Sequence, residues 1–377
     1  MIETMKKYSR TWIWVSVGFS IAVIAIVLYT TFDENTLVYL RQLDPWFLLL
    51  AVLLRIGSLA FWSWRIQVMA HSLGYRVPFS ACWNLVLANL LAGAVTPGQT
   101  GGEPVRVHEL YRENVKVGDA TAIVIMERVL DGIVLTIMGL LSVILLGSIL
   151  RQLSLELIII MGVGWAFMAT IVVLVFFSAK KPAWMKNHLM RFLHWLEQKY
   201  SRPSIAKVVK KADGEIDNFF CSMNHFTGKA VKGLIFGSFF TALFWVSEFL
   251  VASLLLMGLG QPPFVLESFL FQLVIAVIMM IPLTPGSSGI AEISATSLYA
   301  LIIPSSILGI FVLLWRIVLF YFNILLGLIG GVHIFRRELT GPEDDDEDLQ
   351  SSEVCNPGFE SPEMDTTLSG TEQEHVK

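Results

Sequence analysis

Long apolar runs strongly restrict the folds open to this chain. Residues 12–31, for example, contain no charged side chain. A helix needs about 20 apolar residues to cross the ~30 Å hydrocarbon core of a bilayer. Of the 377 residues, 55% are hydrophobic and only 15% are charged, and the runs do not alternate as the strands of an outer-membrane barrel do. We therefore predict an all-α, polytopic integral membrane protein with about seven or eight long helices.

The charges in the loops predict how this protein is oriented, because cytoplasmic loops are enriched in Lys and Arg. Residues 178–230 contain ten Lys and Arg, so this loop should be cytoplasmic, as should both termini. Residues 32–44 and 260–264 should lie outside, which places the chain as a multi-pass protein of the cytoplasmic membrane. The apolar segments on which this prediction depends lie near residues 12–31, 45–64, 79–95, 120–148, 154–177, 231–259, 265–283 and 304–334, with a shorter one at 287–302.

Two apolar segments end in Thr-Pro-Gly, in "TPGQTGGEP" (96–104) and "TPGSSGIAE" (284–292). If 79–95 crossed the membrane fully, the basic loop 178–230 would lie on the wrong side. The conflict disappears if 79–117 is a hairpin that enters from the cytoplasm and returns. The second Thr-Pro-Gly turn then ends a hairpin that enters from the outside. We therefore predict two re-entrant hairpins.

The two turns match in register at a separation of 188 residues. This separation relates Thr96 to Thr284, Gly101 to Gly289, Tyr111 to Tyr299, Arg128 to Arg316 and Gly139 to Gly327. Three predicted crossings separate the two units, and an odd number inverts the second copy. Inverted repeats with broken helices that meet near mid-membrane are typical of secondary transporters. The alternative is that each Pro-Gly merely produces a structural kink.

The turns themselves are predicted to form a polar site. Proline ends the incoming helix, and glycine adopts backbone angles that other residues avoid. The unpaired backbone groups must face protein or a watery cavity, and the positive N-terminal end of each returning helix can bind an anion such as phosphate. The turn residues assigned to headgroup binding or translocation are Thr96, Pro97, Gly98, Gly101, Thr284, Pro285, Gly286 and Gly289.

Charged side chains inside the apolar segments are further candidates, since such residues are rare in membranes and usually face a cavity or a partner. Arginines can hold a lipid phosphate through two hydrogen bonds, and acids can balance an amine-bearing headgroup. The alternative is a set of structural ion pairs, and Arg65 and Arg76, near helix ends, are expected to snorkel to the interface. The candidates are Glu103, Glu127, Arg128, Asp131, Glu292 and Arg316, with Arg55 and Glu248 also within apolar segments.

The remaining regions predict the domain organisation. Residues 1–335 form the transmembrane domain, and the basic, aromatic-rich loop 178–230 within it should lie as an amphipathic helix on anionic lipid. Residues 336–377 hold 13 acids and 3 bases and should be a disordered cytoplasmic tail that can recruit a basic protein.

No catalytic, metal-binding, nucleotide-binding or nucleic-acid-binding pattern occurs, so we expect no cofactor and no nucleic-acid partner. Homo-oligomerisation is left open.

The motifs "TPGQTGGEPVR", "ERVLD", "PLTPGSSGIAE" and "LLWRIVLFYFNILLGLIGG" together resemble the flippase-like membrane domain family. This is the transmembrane region of lysylphosphatidylglycerol synthase, also called multiple peptide resistance factor, and the resemblance covers roughly residues 10 to 335. It implies movement of lipids between leaflets, which in the resistance factor concerns an aminoacylated phosphatidylglycerol. This chain has a short acidic tail where the synthase has an aminoacyl-transferase domain, so we expect no synthesis of aminoacyl lipids. It also differs in that Glu103 lies seven residues after Thr96, whereas Glu292 lies eight after Thr284.

The leading functional hypothesis is a translocase that moves a phospholipid or a polyprenyl-phosphate-linked lipid, with membrane lipids as its partners. Arg128 and Arg316 would engage the phosphate, and Glu103 and Glu292 would shape the polar path. One alternative is a membrane-embedded glycosyltransferase-type enzyme on lipid-linked sugars, for which "ERVLD" is the single acid–base candidate. The other is a non-transporting membrane protein that acts through its acidic tail.

Overall fold

The computed structural model describes residues 41–96, 99–150, 184–191, 203–228, 230–279, 284 and 286–340, with isolated positions between 25 and 39 and between 155 and 195. These residues form ten α-helices and one π-helical turn, and no strand occurs among them. The predicted helix 12–31, most of 154–177 and residues 341–377 lie outside the described part. The elements are α1 (Pro45–Ser72), α2 (Phe79–Ala94), α3 (Gly102–Arg112), α4 (Val117–Leu150), α5 (Pro203–Thr227), α6 (Val231–Gly258), α7 (Val265–Met279), α8 (Ile290–Tyr299), α9 (Ser305–Arg316), the π turn (Ile317–Tyr321) and α10 (Phe322–Thr340).

The long helices confirm a polytopic all-α membrane protein. Helices α1 and α6 each have 28 residues, and α9 continues through the π turn into α10, so that Pro45–Ser72, Val231–Gly258 and Ser305–Gly331 are long and apolar enough to cross a membrane. Local sequence sets where α1 begins. Asp44 caps it by accepting a hydrogen bond from the Trp46 backbone N–H at 2.9 Å, and Pro45 occupies the first turn, where its missing N–H costs nothing.

Helices α1 and α6 pack along each other in opposite directions. At one end, the Asp44 backbone N–H donates to the Gly258 carbonyl at 2.9 Å. At the other end, Gly233 lies so close to α1 that an added Cβ would be 2.3 Å from Ser72 Oγ. The start of each helix therefore meets the end of the other, and this antiparallel pair forms the centre of the molecule.

Each of these helices is followed by a hairpin of two short helices. Helices α2 and α3 have 16 and 11 residues, and α7 and α8 have 15 and 10. All four are shorter than the about 20 residues needed to cross a bilayer. Because α1 and α6 are antiparallel, the hairpins start from opposite ends of the pair. Their turns meet between these ends, where the Gly286 backbone N–H donates to the Thr96 carbonyl at 3.1 Å. The two hairpins of the predicted inverted repeat are thus present, and their re-entrant position in the membrane stays a prediction.

The duplication includes four helices, which is more than the two turns predicted from the sequence. The 188-residue separation relates the first residues of α3 and α8 (Gly102 and Ile290) and those of α4 and α9 (Val117 and Ser305). It also relates two non-glycine residues with left-handed backbone angles, Gln99 (φ 60°) and Ser287 (φ 53°). We call α1–α4 the first repeat and α6–α10 the second repeat.

Helix α5, in the predicted basic loop, packs against the first repeat. Met223 and Phe226 are fully buried in its apolar core. At the start of α4, the Gly118 N–H donates to Glu215 Oε2 at 2.7 Å, and Ser222 Oγ donates to Asp119 Oδ1 at 2.5 Å. This part of the loop therefore covers protein with its apolar face. Of the aromatic-rich stretch predicted to lie on lipid, residues 184–191 are described, and they are helical.

Candidate functional site

A buried network of charges joins the helices of the first repeat. Arg65 on α1 donates through Nη1 to Asp131 Oδ1 at 2.7 Å and contacts Glu127 Oε1 through Nη2 at 2.8 Å. Arg106 on α3 donates through Nη1 to Glu127 Oε2 at 2.5 Å. All four side chains are at most 4% exposed. Each ion therefore has an opposite charge in contact, which a charge in a low-dielectric interior requires.

Two tryptophans complete the hydrogen bonds of these acids. Trp62 Nε1 donates to Glu127 Oε1 at 2.9 Å, and Trp245 Nε1 on α6 donates to Asp131 Oδ1 at 3.0 Å. The contact from Trp245 connects the acidic cluster on α4 to the second repeat. The cluster "ERVLD" is therefore tied into helices from both halves of the protein.

Arg128, next to Glu127 on α4, has a more open environment. Its Nε donates to Glu103 Oε1 at 2.8 Å, and its Nη1 lies 3.7 Å from Asp131 Oδ2. The Arg128 and Glu103 side chains are 30% and 36% exposed. This ion pair is thus reachable from outside the protein while its neighbours are sealed.

The second repeat has the corresponding pair in a closed environment. Arg316 Nε lies 2.9 Å from Glu292 Oε1, and the two side chains are 2% and 0% exposed. Arg316 Nη2 donates to Ser288 Oγ at 3.1 Å, and its Cζ lies 4.0 Å from the centre of the Phe320 ring. The different spacing of the two acids from their threonines therefore does not change their partner, since each pairs with the arginine of its own repeat.

The turns use their own side chains to hold their shape. Thr96 Oγ1 accepts from the Gly101 N–H at 2.8 Å, and Thr284 Oγ1 donates to the Ser288 carbonyl at 2.8 Å. At the start of α8, the Gly289 N–H donates to Glu292 Oε2 at 2.7 Å. An internal carboxylate therefore already contacts this helix end, where the sequence suggested a phosphate. Pro97, Gly98 and Pro285 lie outside the described residues.

A further ion pair, with a buried arginine and a partly buried acid, joins α1 and α6. Arg55 Nη1 donates to Glu248 Oε2, and Arg55 Nε donates to Asn323 Oδ1 on α10 at 3.0 Å. Ser58 Oγ also donates to Glu248 Oε2 at 3.1 Å. This pair extends the polar network along the antiparallel centre of the molecule.

A cavity of about 170 Å³, lined by both charged and apolar side chains, lies where the two repeats meet. This volume exceeds the roughly 10–15 Å³ that one water requires, so it accommodates several waters or a small polar group. Its charged lining comes from both halves, and its neutral polar lining includes amides on α2, the first turn and α7. The polar lining residues are Arg55, Arg65, Asn89, Gln99, Arg128, Asp131, Glu248, Gln272, Arg316 and Asn323.

The structure brings the predicted charged residues together, but it corrects one prediction. Arg65 does not snorkel to the interface, because it is 2% exposed and is bound by both acids of α4. Sequence reasoning also missed Arg106, which was not among the candidate residues, and Asn89 and Gln272, which look like isolated polar residues in apolar segments. An available signal was that polar side chains in such segments tend to face partners or cavities. No group of three or more His, Cys, Asp or Glu side chains in the described part is placed to hold a metal ion.

The chain is similar to known membrane proteins over most of its length. The family model for the lysylphosphatidylglycerol synthase TM region matches residues 13–327. The chain is 28% identical over 311 residues to a UPF0104 membrane protein of Archaeoglobus fulgidus, a match that covers 82% of this chain and 93% of that protein. It is 25% identical over 340 residues to one of Methanocaldococcus jannaschii (88% and 97%) and 24% identical over 331 residues to one of Pyrococcus horikoshii (86% and 96%).

No solved structure matches the chain. The family match spans the four helices of the first repeat and most of the second, including both turns and both arginine–glutamate pairs. The protein therefore belongs to the lysylphosphatidylglycerol synthase transmembrane-region family.

Proposed function

We propose that this protein translocates a phosphate-bearing lipid, either a phospholipid or a polyprenyl-phosphate-linked lipid, between the leaflets of the cytoplasmic membrane. The supporting observation is a cavity between two inverted repeats, to whose lining both repeats contribute charged side chains. A headgroup crossing a bilayer must exchange water for another polar environment, because polar and charged groups are costly in hydrocarbon. The cavity offers such an environment at the meeting point of the re-entrant turns.

Arg128 is the arginine assigned to the phosphate in this conformation. It lines the cavity and is 30% exposed, and its partner Glu103 is also accessible. A phosphate that reaches Arg128 can replace Glu103 as the counter-ion, since guanidinium binds both groups with the same geometry. Glu103 is released toward water, where its charge is solvated.

Arg316 has the same role in the opposite conformation. Arg316 lines the cavity, but its Nε is bound by Glu292 in a pair that is 2% and 0% exposed, so a phosphate can replace Glu292 only after the second repeat opens. Inverted repeats provide this second state by exchanging their conformations, which opens the site first to one side and then to the other. Transport then consists of two similar anion exchanges, one on each arginine–glutamate pair.

A flip assay tests this function. The full-length protein is reconstituted in liposomes with a fluorescent phosphatidylglycerol or a fluorescent polyprenyl phosphate, and dithionite reports how fast the label leaves the inner leaflet. We expect the wild type to exceed protein-free liposomes for at least one lipid. Arg128→Gln should slow the flip by roughly tenfold or more, which corresponds to about 1.4 kcal/mol of lost stabilisation at the barrier.

The matched control is Arg76→Gln, which removes an exposed arginine in the loop before the first hairpin. It should flip lipid at the wild-type rate. Equal rates for wild type and empty liposomes with both lipids would refute the translocase function. A wild-type rate for Arg128→Gln would refute only the role of that arginine.

A further inference from the structure

Arg106 differs from the other buried or partly buried arginines of the site in how its guanidinium is used. It is 1% exposed, and only its Nη1 has a protein acceptor, Glu127 Oε2. Its Nε and Nη2 have no hydrogen-bond partner within the described part of the chain. A buried donor left without an acceptor costs about 1–3 kcal/mol, and more when it is charged. Protein atoms cover both donors, so an acceptor can reach this edge only after the packing around Arg106 opens. Two such donors on one guanidinium indicate a position for an acceptor that the described residues do not supply.

The geometry of the two donors restricts what that acceptor is. Nε and Nη2 form one edge of the planar guanidinium, and their two N–H bonds are parallel. This edge matches two oxygens of one phosphate or carboxylate. A single oxygen can accept both bonds, as Glu127 Oε1 does from Arg65, whereas an oxoanion supplies a separate oxygen to each.

The other arginines show that the protein normally fills this edge itself. Arg65 presents Nε and Nη2 to Glu127 Oε1, and Arg316 presents them to Glu292 and Ser288. The Nε of Arg55 is bound by Asn323, and that of Arg128 by Glu103. Among these five arginines in the described residues, Arg106 is the one whose Nε edge has no protein partner.

Arg106 lies directly beside the proposed path of the lipid. The Trp62 ring, which lines the cavity, has its centre 5.5 Å from Arg106 Cζ. Glu103 and Arg106 are three residues apart on α3 and so share a face, and they bind Arg128 and Glu127, which are adjacent on α4. Arg106 therefore lies about one helical turn from the carboxylate that a phosphate at Arg128 would replace.

Arg106 occurs in the first repeat and has no counterpart in the second. The residue 188 positions after Arg106 is Ser294, which is buried and carries no charge. The second repeat therefore has the arginine–glutamate pair but lacks the additional guanidinium. An anion held at Arg106 would distinguish the two sides of the path.

We propose that the Nε and Nη2 edge of Arg106 is a binding position for a phosphate oxoanion, next to the cavity and specific to the first repeat. The chemistry is shared by a lipid phosphate and by free inorganic phosphate. Only the assignment to a lipid rests on the proposed function. Bidentate binding at Arg106, with Arg128 as the neighbouring cation, replaces the contact between Arg128 and Glu103.

The test measures equilibrium binding to the purified full-length protein in detergent. Inorganic phosphate and a short-chain phosphatidylglycerol are titrated by calorimetry into the wild type, Arg106→Lys and the control Arg76→Lys. Lysine keeps the charge beside Glu127 but removes the two-donor edge. We expect Arg106→Lys to weaken binding roughly ten- to a hundred-fold and Arg76→Lys to leave it unchanged.

The two probes distinguish the sources of the phosphate. Tighter binding of the lipid supports a headgroup position, and equal binding supports a site for the free anion. Either result supports the oxoanion position if Arg106→Lys weakens it. Unchanged affinity in Arg106→Lys, or no binding of either probe to the wild type, would overturn the proposal.

A second measurement needs no variant and so remains decisive if Arg106→Lys does not fold. Crystals of the wild-type protein grown with selenate should show an anomalous peak within hydrogen-bond distance of both Arg106 Nε and Nη2. A peak elsewhere, or a water at this edge, overturns the inference. If no anion binds at Arg106 but the protein flips lipid normally, the translocase function stands and the anion position is wrong. If an anion binds at Arg106 but the protein flips no lipid, the anion position stands and the translocase function is wrong.

Discussion

The two repeats place the same ion pair in opposite environments. Arg128–Glu103 in the first repeat and Arg316–Glu292 in the second both join Nε to Oε1, at 2.8 and 2.9 Å. The first pair is about one-third exposed, whereas the second is sealed. Since the pairs themselves are alike, the difference lies in how the surrounding helices close over them. Duplication therefore preserved the pairing, while the two halves differ in which pair is accessible.

The helices that hold the two arginines also differ. After Arg128, α4 continues as a regular α-helix, whereas after Arg316 the chain forms the π turn Ile317–Tyr321. The π turn places Phe320 against the Arg316 guanidinium, at 4.0 Å from Cζ to the ring centre. Such turns are rare and occur frequently at functional sites. The closed state of the second pair thus has a local backbone cause that the first pair lacks.

The strongest test of this comparison is to neutralise the acid of each pair. Glu292→Gln leaves the buried Arg316 charge without its counter-ion, and breaking a buried pair costs about 3–5 kcal/mol. Glu103→Gln breaks a partly exposed pair, for which the expected cost is below about 1 kcal/mol. Thermal unfolding of both variants in the same detergent should therefore show a large loss for Glu292→Gln and a small one for Glu103→Gln.

The control for this prediction removes both charges of the buried pair. Glu292→Gln combined with Arg316→Met should recover much of the stability, because no unpaired charge is left behind. Similar losses for the two single variants would mean that the pairs do not differ in environment. The asymmetry drawn from their exposure would then be wrong.

Sequence reasoning predicted the backbone of this arrangement better than its contacts. The predicted segment 231–259 and the observed α6 (Val231–Gly258) agree to one residue, because long apolar runs bounded by polar loops locate membrane helices. The two turns could be matched at a separation of 188 residues because a strained backbone restricts which residues can form them, so both copies kept the same residue types. Arg65 was misjudged because its partners Glu127 and Asp131 lie more than 60 residues away in the chain. Sequence spacing locates neighbours on one helix but not across helices.

Alanine substitutions at two matched glycines measure whether the two repeats are equally tightly packed. Gly327 on α10 lies against the backbone of α2, where an added Cβ would be 2.7 Å from the Leu91 nitrogen. Its counterpart Gly139 on α4 lies against the side chain of Trp165, where an added Cβ would be 2.6 Å from the ring. A side chain can rotate away, but a helix backbone cannot do so without repacking. Gly327→Ala should therefore cost about 1–3 kcal/mol, and Gly139→Ala less.

Unfolding midpoints of the two alanine variants, measured side by side, check this prediction. Ala is the better helix former, which favours both substitutions equally and so cancels in the comparison. A larger loss for Gly139→Ala would show that the contact between α4 and Trp165 is the tighter of the two. The first repeat would then be the more rigid half, opposite to what the exposure of its ion pair indicates.

The smallest expected difference concerns the left-handed residues of the two turns. Gln99 (φ 60°) and Ser287 (φ 53°) each adopt a conformation that costs a non-glycine residue about 1–2 kcal/mol. Gln99→Gly removes this strain, but glycine also makes the unfolded chain more flexible, which costs about 0.4–1 kcal/mol of stability. We therefore expect a net gain in stability of roughly 0.5–1 kcal/mol.

Ser287→Gly gains no more stability than this. It also loses the hydrogen bond from Ser287 Oγ to the Met279 carbonyl, which is 3.1 Å long and worth about 1 kcal/mol. Unfolding midpoints should therefore rise slightly for Gln99→Gly and stay level or fall for Ser287→Gly. If both rise equally, the Ser287 hydroxyl contributes nothing to holding the second turn, and the other contacts of that turn, such as Thr284 Oγ1 to the Ser288 carbonyl, hold it instead.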